Sequence, residues 1–321
     1  MRRPAVRALA VAALLALTGA TAACGDDDGD IAAGETTQVK VGAIPIVDVA
    51  PLHLGVAKGF FKEQGLDVQV ISTTGGAVAV PGVVSGQFDF AFGNVVSLIV
   101  AKSQGLELIA VAPGNSSTGI QGKDFGGVVV PKGSSINDAA GLAGKTVAVN
   151  NFKNVGDTTV RASIRKAGGD STKVNFVELP FPEMPAAIAN KRVDAAWIVE
   201  PFFTIAQEQG AKVIASNFVD AAPNMTISTY FTSQQTIIEK PGLAERFAAG
   251  IKKSLQYAQD HPDEARQALL TYTQITPEVA ERLTLPAWPQ DINKESVQTI
   301  ADLMQQDGLV PEKVDVAAIL P

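Results

Sequence analysis

From position 38 the chain alternates short, almost unbroken apolar runs with longer segments whose apolar residues recur at helical spacing. The short runs lie at 39–44, 66–71 and 89–92, with helical stretches at 52–64 and 78–85 between them. A strand covered on both faces has no polar side to show, so runs of this kind predict a parallel sheet with helices on either side. The rhythm restarts after Gly126-Gly127, with strands at 128–130, 146–149, 174–179, 194–199 and 212–215 and helices near 156–167, 183–190 and 201–209. One pattern run twice predicts two sheets, hence two lobes. After one more strand, at 225–231, the chain turns helical to its end. Leu243, Phe247, Ile251 and Leu255 recur every fourth residue, and Val297, Ile300, Ala301 and Met304 form an amphipathic stripe. Asn293 stands where an N-cap belongs and Gly308 where a left-handed C′ residue belongs. Both stripes read as core contacts against the first lobe.

What precedes position 38 has a different character. Arg2, Arg3 and Arg7 form a positive head, and 8–17 is an apolar stretch too short to span a bilayer, the pattern of a secretory signal peptide over 1–23. Its end, Thr21-Ala22-Ala23-Cys24, resembles the lipobox of bacterial lipoproteins, with Thr21 where Leu, Val or Ile is usual; an ordinary cut after Ala23 is the alternative. Lipidation of Cys24 also accounts for the single cysteine of the chain. The polar stretch 24–37, opening Gly25-Asp26-Asp27-Asp28-Gly29-Asp30, reads as a flexible tether. The net charge is −7, and loss of the three arginines makes the exported part more acidic still.

Composition then removes several function classes. With 46% hydrophobic and 18% charged residues the chain is globular, and its acidic balance offers no basic surface for a phosphate backbone. One cysteine and two distant histidines furnish neither a disulfide nor a zinc site, and no cofactor is implied. Gly144-Lys145-Thr146 looks like the end of a P-loop, but it opens a strand where a P-loop opens a helix. No Gly-x-Ser-x-Gly elbow occurs; His261, in Asp260-His261-Pro262, reads as a helix end, and His53 sits in the first turn of the first helix, where it either packs or faces a ligand. The expectation is a protein that is not an enzyme. Two carboxylates stand at C-terminal ends of predicted strands, where open α/β sheets bind ligands: Asp48 and Glu200. Each also stands where a helix N-terminus favours a carboxylate, so capping is the competing role.

At these motifs the chain resembles a known family. Val41-Gly42-Ala43-Ile44-Pro45, Asp48-Val49-Ala50-Pro51-Leu52 and Lys58-Gly59-Phe60-Phe61 through Asp67-Val68 are similar to the opening of substrate-binding proteins of the nitrate/sulfonate/taurine ABC-transporter family, the SsuA/THI5-like or NMT1-like group. The likeness continues in Gly86-Gln87-Phe88-Asp89, Leu142-Ala143-Gly144-Lys145-Thr146 and Trp197-Ile198-Val199-Glu200-Pro201-Phe202, covering about 38–233. The resemblance implies an α/β, type II periplasmic-binding-protein fold: two α/β lobes with a hinge and a helical C-terminal extension. Lobe I would comprise 38–126 and 226–321 and lobe II 127–225, with the hinge near 125–128 and 217–226.

The resemblance also places a ligand in the cleft. Thr74, Gly75 and Gly76 would let backbone amides approach it, Asn94 and Asn151 would orient it, and Trp197 and Glu200 would border it beside Asp48. Helix N-termini favour an oxyanion such as a sulfonate or taurine, whereas two carboxylates in one cleft favour an amine. The leading expectation is therefore a sulfonate- or taurine-like solute, with a heteroaromatic amine such as a thiamine pyrimidine precursor, or an aromatic acid, as alternatives. Implied partners are an ABC permease with its ATPase subunits and, through Cys24, the extracytoplasmic face of the membrane, for a monomeric receptor; a ligand-sensing lipoprotein would need the same hinge.

Overall fold

The computed structural model describes residues 36–321. The signal segment, Cys24 and most of the tether lie outside the described residues. The first half builds β1 (Thr37–Ala43), α1 (Ala50–Lys58), β2 (Leu66–Ser72), α2 (Gly76–Val84), β3 (Phe90–Asn94), α3 (Val95–Ser103) and β4 (Leu108–Ser116). The middle builds β5 (Gly126–Val130), β6 (Thr146–Val149), α4 (Val155–Lys166), β7 (Asn175–Glu178), α5 (Met184–Ala189), β8 (Ala195–Val199), α6 (Phe202–Glu208), β9 (Lys212–Ala215) and α7 (Asn217–Ala221). The last part is β10 (Thr226–Ser233), then α8 (Gln234–Glu239), α9 (Leu243–Asp260), α10 (Pro262–Leu269), α11 (Pro277–Arg282) and α12 (Lys294–Gln306). There are two five-stranded sheets, ordered β2-β1-β3-β10-β4 and β7-β6-β8-β5-β9.

Neither sheet is wholly parallel, which corrects the expectation from the apolar runs. β10 is antiparallel to β3 and β4, and β5 is antiparallel to β8 and β9. Each is the first strand after the chain changes sheets. β5 starts beside Val199 at the end of β8, and β10 pairs its Ser228 with Asn94 at the end of β3. A strand that enters at the carboxyl ends of its neighbours must run against them, and no crossover helix is then needed. The other strands keep their carboxyl ends toward one cleft.

The helical stretch expected over 52–64 ends earlier, because Gly59 takes a left-handed conformation at φ 79° and closes α1. The C-terminal stripes do pack as core. Phe247 of α9 stacks on Phe90 of β3 with ring centroids 4.1 Å apart. Asn293 caps α12 by accepting from the Ser296 amide, and Gly308 follows its end at φ 67°. The extension also reaches the second sheet's layer, through Arg165 of α4 with Asp307, Arg282 with Glu208 at 2.5 Å, and the amide of Thr284 with Glu200. Its segment 283–288 runs behind the cleft, where Ala287 pairs with Ser116 and the Trp288 indole donates to the Asp48 carbonyl. Among the described residues no helix is long and apolar enough to cross a membrane.

Candidate functional site

The carboxyl ends of β1, β3, β6 and β8 meet across the cleft around a narrow cavity of about 40 Å³. From the first lobe come Asp48, Gly75, Gly76, Phe92 and Asn94; from the second come Asn150, Phe181, Trp197 and Phe218. Asp48 is buried, its Oδ1 accepting from Asn115 Nδ2 at 2.8 Å, and Asn115 is in turn bonded to Ser228. Burial pushes the Asp48 carboxyl from 3.8 up to about 7. Trp197 is held edge-on by Phe181 and Phe218, and its ring lies against Gly156, where a Cβ would fall 2.3 Å from Cε3. Among the described residues Asp48 Oδ2, Asn150 Oδ1 and Trp197 Nε1 have no hydrogen-bond partner. Buried polar atoms left unpaired cost free energy, so two acceptors and one donor await a partner at one site. None of the residues lining the cavity is a lysine or arginine.

The lobes are joined at the rim of this cavity by two helix ends. Asn94 caps α3 and Asn154 caps α4, the latter in a capping box with Asp157. The Asn94 amide donates to Asn154 Oδ1, and Asn154 Nδ2 reaches Ser97 Oγ at 3.2 Å. Gly75, at φ 127°, lets the two loops meet, since a Cβ there would lie 2.5 Å from Asn151 Oδ1. Below, the Val47 amide donates to the Glu200 carbonyl at 3.2 Å.

The structure brings Asp48, Gly75, Gly76, Asn94 and Trp197 together on one cavity. Thr74 instead lines an adjoining chamber, and Asn151 sits at the rim while its neighbour Asn150 enters the cavity. Glu200 points away. Its carboxylate accepts from the Thr204 amide at 3.0 Å, the Thr204 hydroxyl at 2.7 Å and the Thr284 amide at 3.1 Å, so it closes the first turn of α6 and ties down the C-terminal segment. Burial pushes its carboxyl up to about 7 as well. His53 stacks on Tyr272 at 3.8 Å and is kept neutral by burial, which lowers it to about 4. His261 stacks on Tyr257 at the end of α9. Sequence reasoning missed Asn115, Asn150, Phe181, Phe218 and Ser228. Of these, Asn115 had a signal, as an amide near the end of the mostly apolar strand β4; Ser228 had none, because Ser and Thr make up five of the eight residues of β10.

Two mixed α/β sheets facing each other across a cleft with largely apolar walls make the type II periplasmic-binding-protein fold, the fold of a class of solute-binding proteins. The solved structure of the alkanesulfonate-binding protein SsuA from Xanthomonas axonopodis pv. citri bound to MOPS has this fold, with a TM-score of 0.74 at 18% identity, covering 90% of this chain and 99% of that one. The family model described as NMT1/THI5 like matches residues 46–265, and the chain belongs to that family. A formylaminopyrimidine-binding protein of Halalkalibacterium halodurans is 25% identical over 246 residues, covering 74% of this chain and 70% of that protein. A putative aliphatic sulfonates-binding protein of Bacillus subtilis is 25% identical over 333 residues, covering 100% of this chain and 95% of that protein.

Proposed function

We propose that this protein is the extracytoplasmic receptor of an ABC importer, held at the membrane through a lipid on Cys24, that closes two lobes on a small amine-bearing heteroaromatic solute and hands it to a permease. Residues 38–126 with 226–321 form lobe I and 127–225 lobe II, a division supported by the change of sheet membership between β4 and β5 and between β9 and β10. The observation that carries the choice of ligand is the unpartnered carboxylate oxygen of Asp48 in a cavity bordered by Phe92, Phe181, Trp197 and Phe218, with no cationic side chain in its lining. A flat ring offering N–H donors would satisfy Asp48 and Asn150, offer a ring nitrogen to the Trp197 indole and lie between the aromatic walls; the cavity of about 40 Å³ is smaller than such a ring, so the lobes must settle wider around it. The name of the Halalkalibacterium halodurans relative agrees with this choice.

A sulfonate is the second reading, favoured by the first turn of α2 at Gly75 and Gly76, whose free amides suit an anion. An anion without a donor of its own would meet Asp48 favourably only while that carboxyl is protonated, an arrangement lost as pH rises through about 7. Taurine, carrying both groups, falls between the two. Titration calorimetry of the full-length protein with 4-amino-5-hydroxymethyl-2-methylpyrimidine, taurine, ethanesulfonate and nitrate tests the choice. The expected order puts the pyrimidine first; tight binding of ethanesulfonate or nitrate with no response to the pyrimidine would refute it.

A further inference from the structure

Ile44, Ile46 and Phe181 border the Asp48 cavity on one side and a second chamber on the other. This outer chamber holds about 180 Å³ against about 40 Å³ for the inner one. Its remaining walls are Pro45 and Ser72 to Thr74 from lobe I and Pro180, Pro182 and Phe202 from lobe II. It therefore takes shape where the lobes meet, as the inner cavity does. Three of its walls are prolines, whose fixed backbone leaves little to be ordered when a guest enters. Thr73 is 5% exposed and lines the chamber, and its hydroxyl has no hydrogen-bond partner among the described residues.

We propose that the outer chamber is a specificity subsite for an apolar arm of the solute, one ring or a chain of three or four carbons, carried on the group that meets Asp48. The inference rests on the inner cavity being the solute site. A solute whose head lies against Asp48 has little further room there, and the larger volume beyond Phe181 is where its remaining atoms fit. An apolar cavity of about 150 Å³ is already enough to accept benzene. The Thr73 hydroxyl supplies one hydrogen bond to an ether, ester or amide atom joining arm to head. The solute class is thus an amine-bearing heteroaromatic with an apolar substituent, and a bare four-atom oxyanion such as nitrate leaves the chamber unfilled.

The test is calorimetry of the full-length protein with 4-aminopyrimidine and its 5-butyl and 5-benzyl derivatives, alongside ethanesulfonate and pentanesulfonate. Each buried methylene is worth about fourfold in affinity, so the butyl compound is expected to bind at least tenfold more tightly than the parent. Thr73→Phe, which fills the chamber, should reduce that ratio to less than threefold. Thr74→Trp, at an exposed position on the chamber wall, should reduce it too and covers the case in which Thr73→Phe does not fold. A parent compound that binds while its longer derivatives bind no better overturns the subsite and leaves the head-group reading standing. A chain-length gain confined to the sulfonates keeps the subsite and overturns the amine head. Failure of every compound overturns both.

Discussion

Replacing Asp48 by Asn asks directly whether a buried carboxylate is being kept for a ligand. In the folded chain burial raises this carboxyl from 3.8 to about 7, with the Asn115 amide only partly offsetting the loss of water. Between those values the native state holds a proton that the unfolded chain has released, so this group's contribution to stability is fully present below pH 4 and is lost as pH rises through 7. The shift corresponds to roughly 4 kcal/mol in all, of which roughly 3 kcal/mol falls between pH 5 and pH 8. Asparagine is isosteric, keeps an acceptor for Asn115 and does not ionise. Glu200 and Asp157 are also raised by burial, to about 7 and about 6, but both are present in either protein and cancel in the difference. Thermal unfolding of wild type and Asp48→Asn from pH 5 to pH 8.5 should therefore show the variant gaining on the wild type by roughly 6 °C or more as pH rises. The same variant should lose at least tenfold in affinity for the aminopyrimidine. Unfolding curves that stay parallel across this range would show that Asp48 is not a strained, ligand-directed group, and the ligand reading would lose its main support.

Gly156→Ala would drive a methyl into the Trp197 ring from 2.3 Å; a loss of about 1–3 kcal/mol in stability is expected, with a shifted tryptophan emission and weaker solute binding in a fluorescence titration. Glu200→Ala leaves the Thr204 and Thr284 amides without their acceptor and should cost about 1–3 kcal/mol in urea unfolding while changing solute affinity less than threefold, because the carboxylate faces away from the cavity. Asn154→Ala removes both the α4 cap, worth about 0.5–2 kcal/mol, and the bond to Asn94; small-angle scattering should record a larger radius of gyration than wild type, and an unchanged profile would show that the bond between the caps does not hold the lobes together.

How much of this could be read beforehand differs from element to element. Most strands of both sheets and the C-terminal core helices followed from apolar spacing, because burial on two faces and burial on one stripe leave different marks on a sequence; α3 and β4 were not anticipated. Strand direction left none: the apolar run 128–130 looks the same whichever way β5 lies, and only the point at which the chain enters the sheet decides it. Asp48, Gly75, Gly76 and Asn94 were legible because they follow strands or start helices, which α/β topology turns toward the cleft, whereas Trp197 stands in the middle of β8 and was placed by the family resemblance. Asn150 and Asn151 could not be separated, since one peptide of rotation exchanges the residue facing in for the one facing out. Glu200 could not be placed for a different reason: a carboxylate before a helix serves equally as ligand contact or as anchor, and its bonds to Thr204 and to Thr284, 84 residues away in sequence, make it an anchor. Phe181 and Phe218 carried no mark of a site, because aromatic walls of a cleft and aromatic residues of a core have the same composition.

The bond between Asn94 and Asn154 ties two helix ends from opposite lobes, yet each asparagine also satisfies its own helix, through the amides of Ser97 and Val155. Parting the lobes thus breaks the link between the caps and leaves each cap in service, so opening does not unravel either helix. Entry of a ring-sized solute becomes a gated event whose frequency belongs to the protein. At high solute concentration the observed association rate should level off at the rate at which these two amides separate, and stopped-flow mixing would then read a protein motion directly.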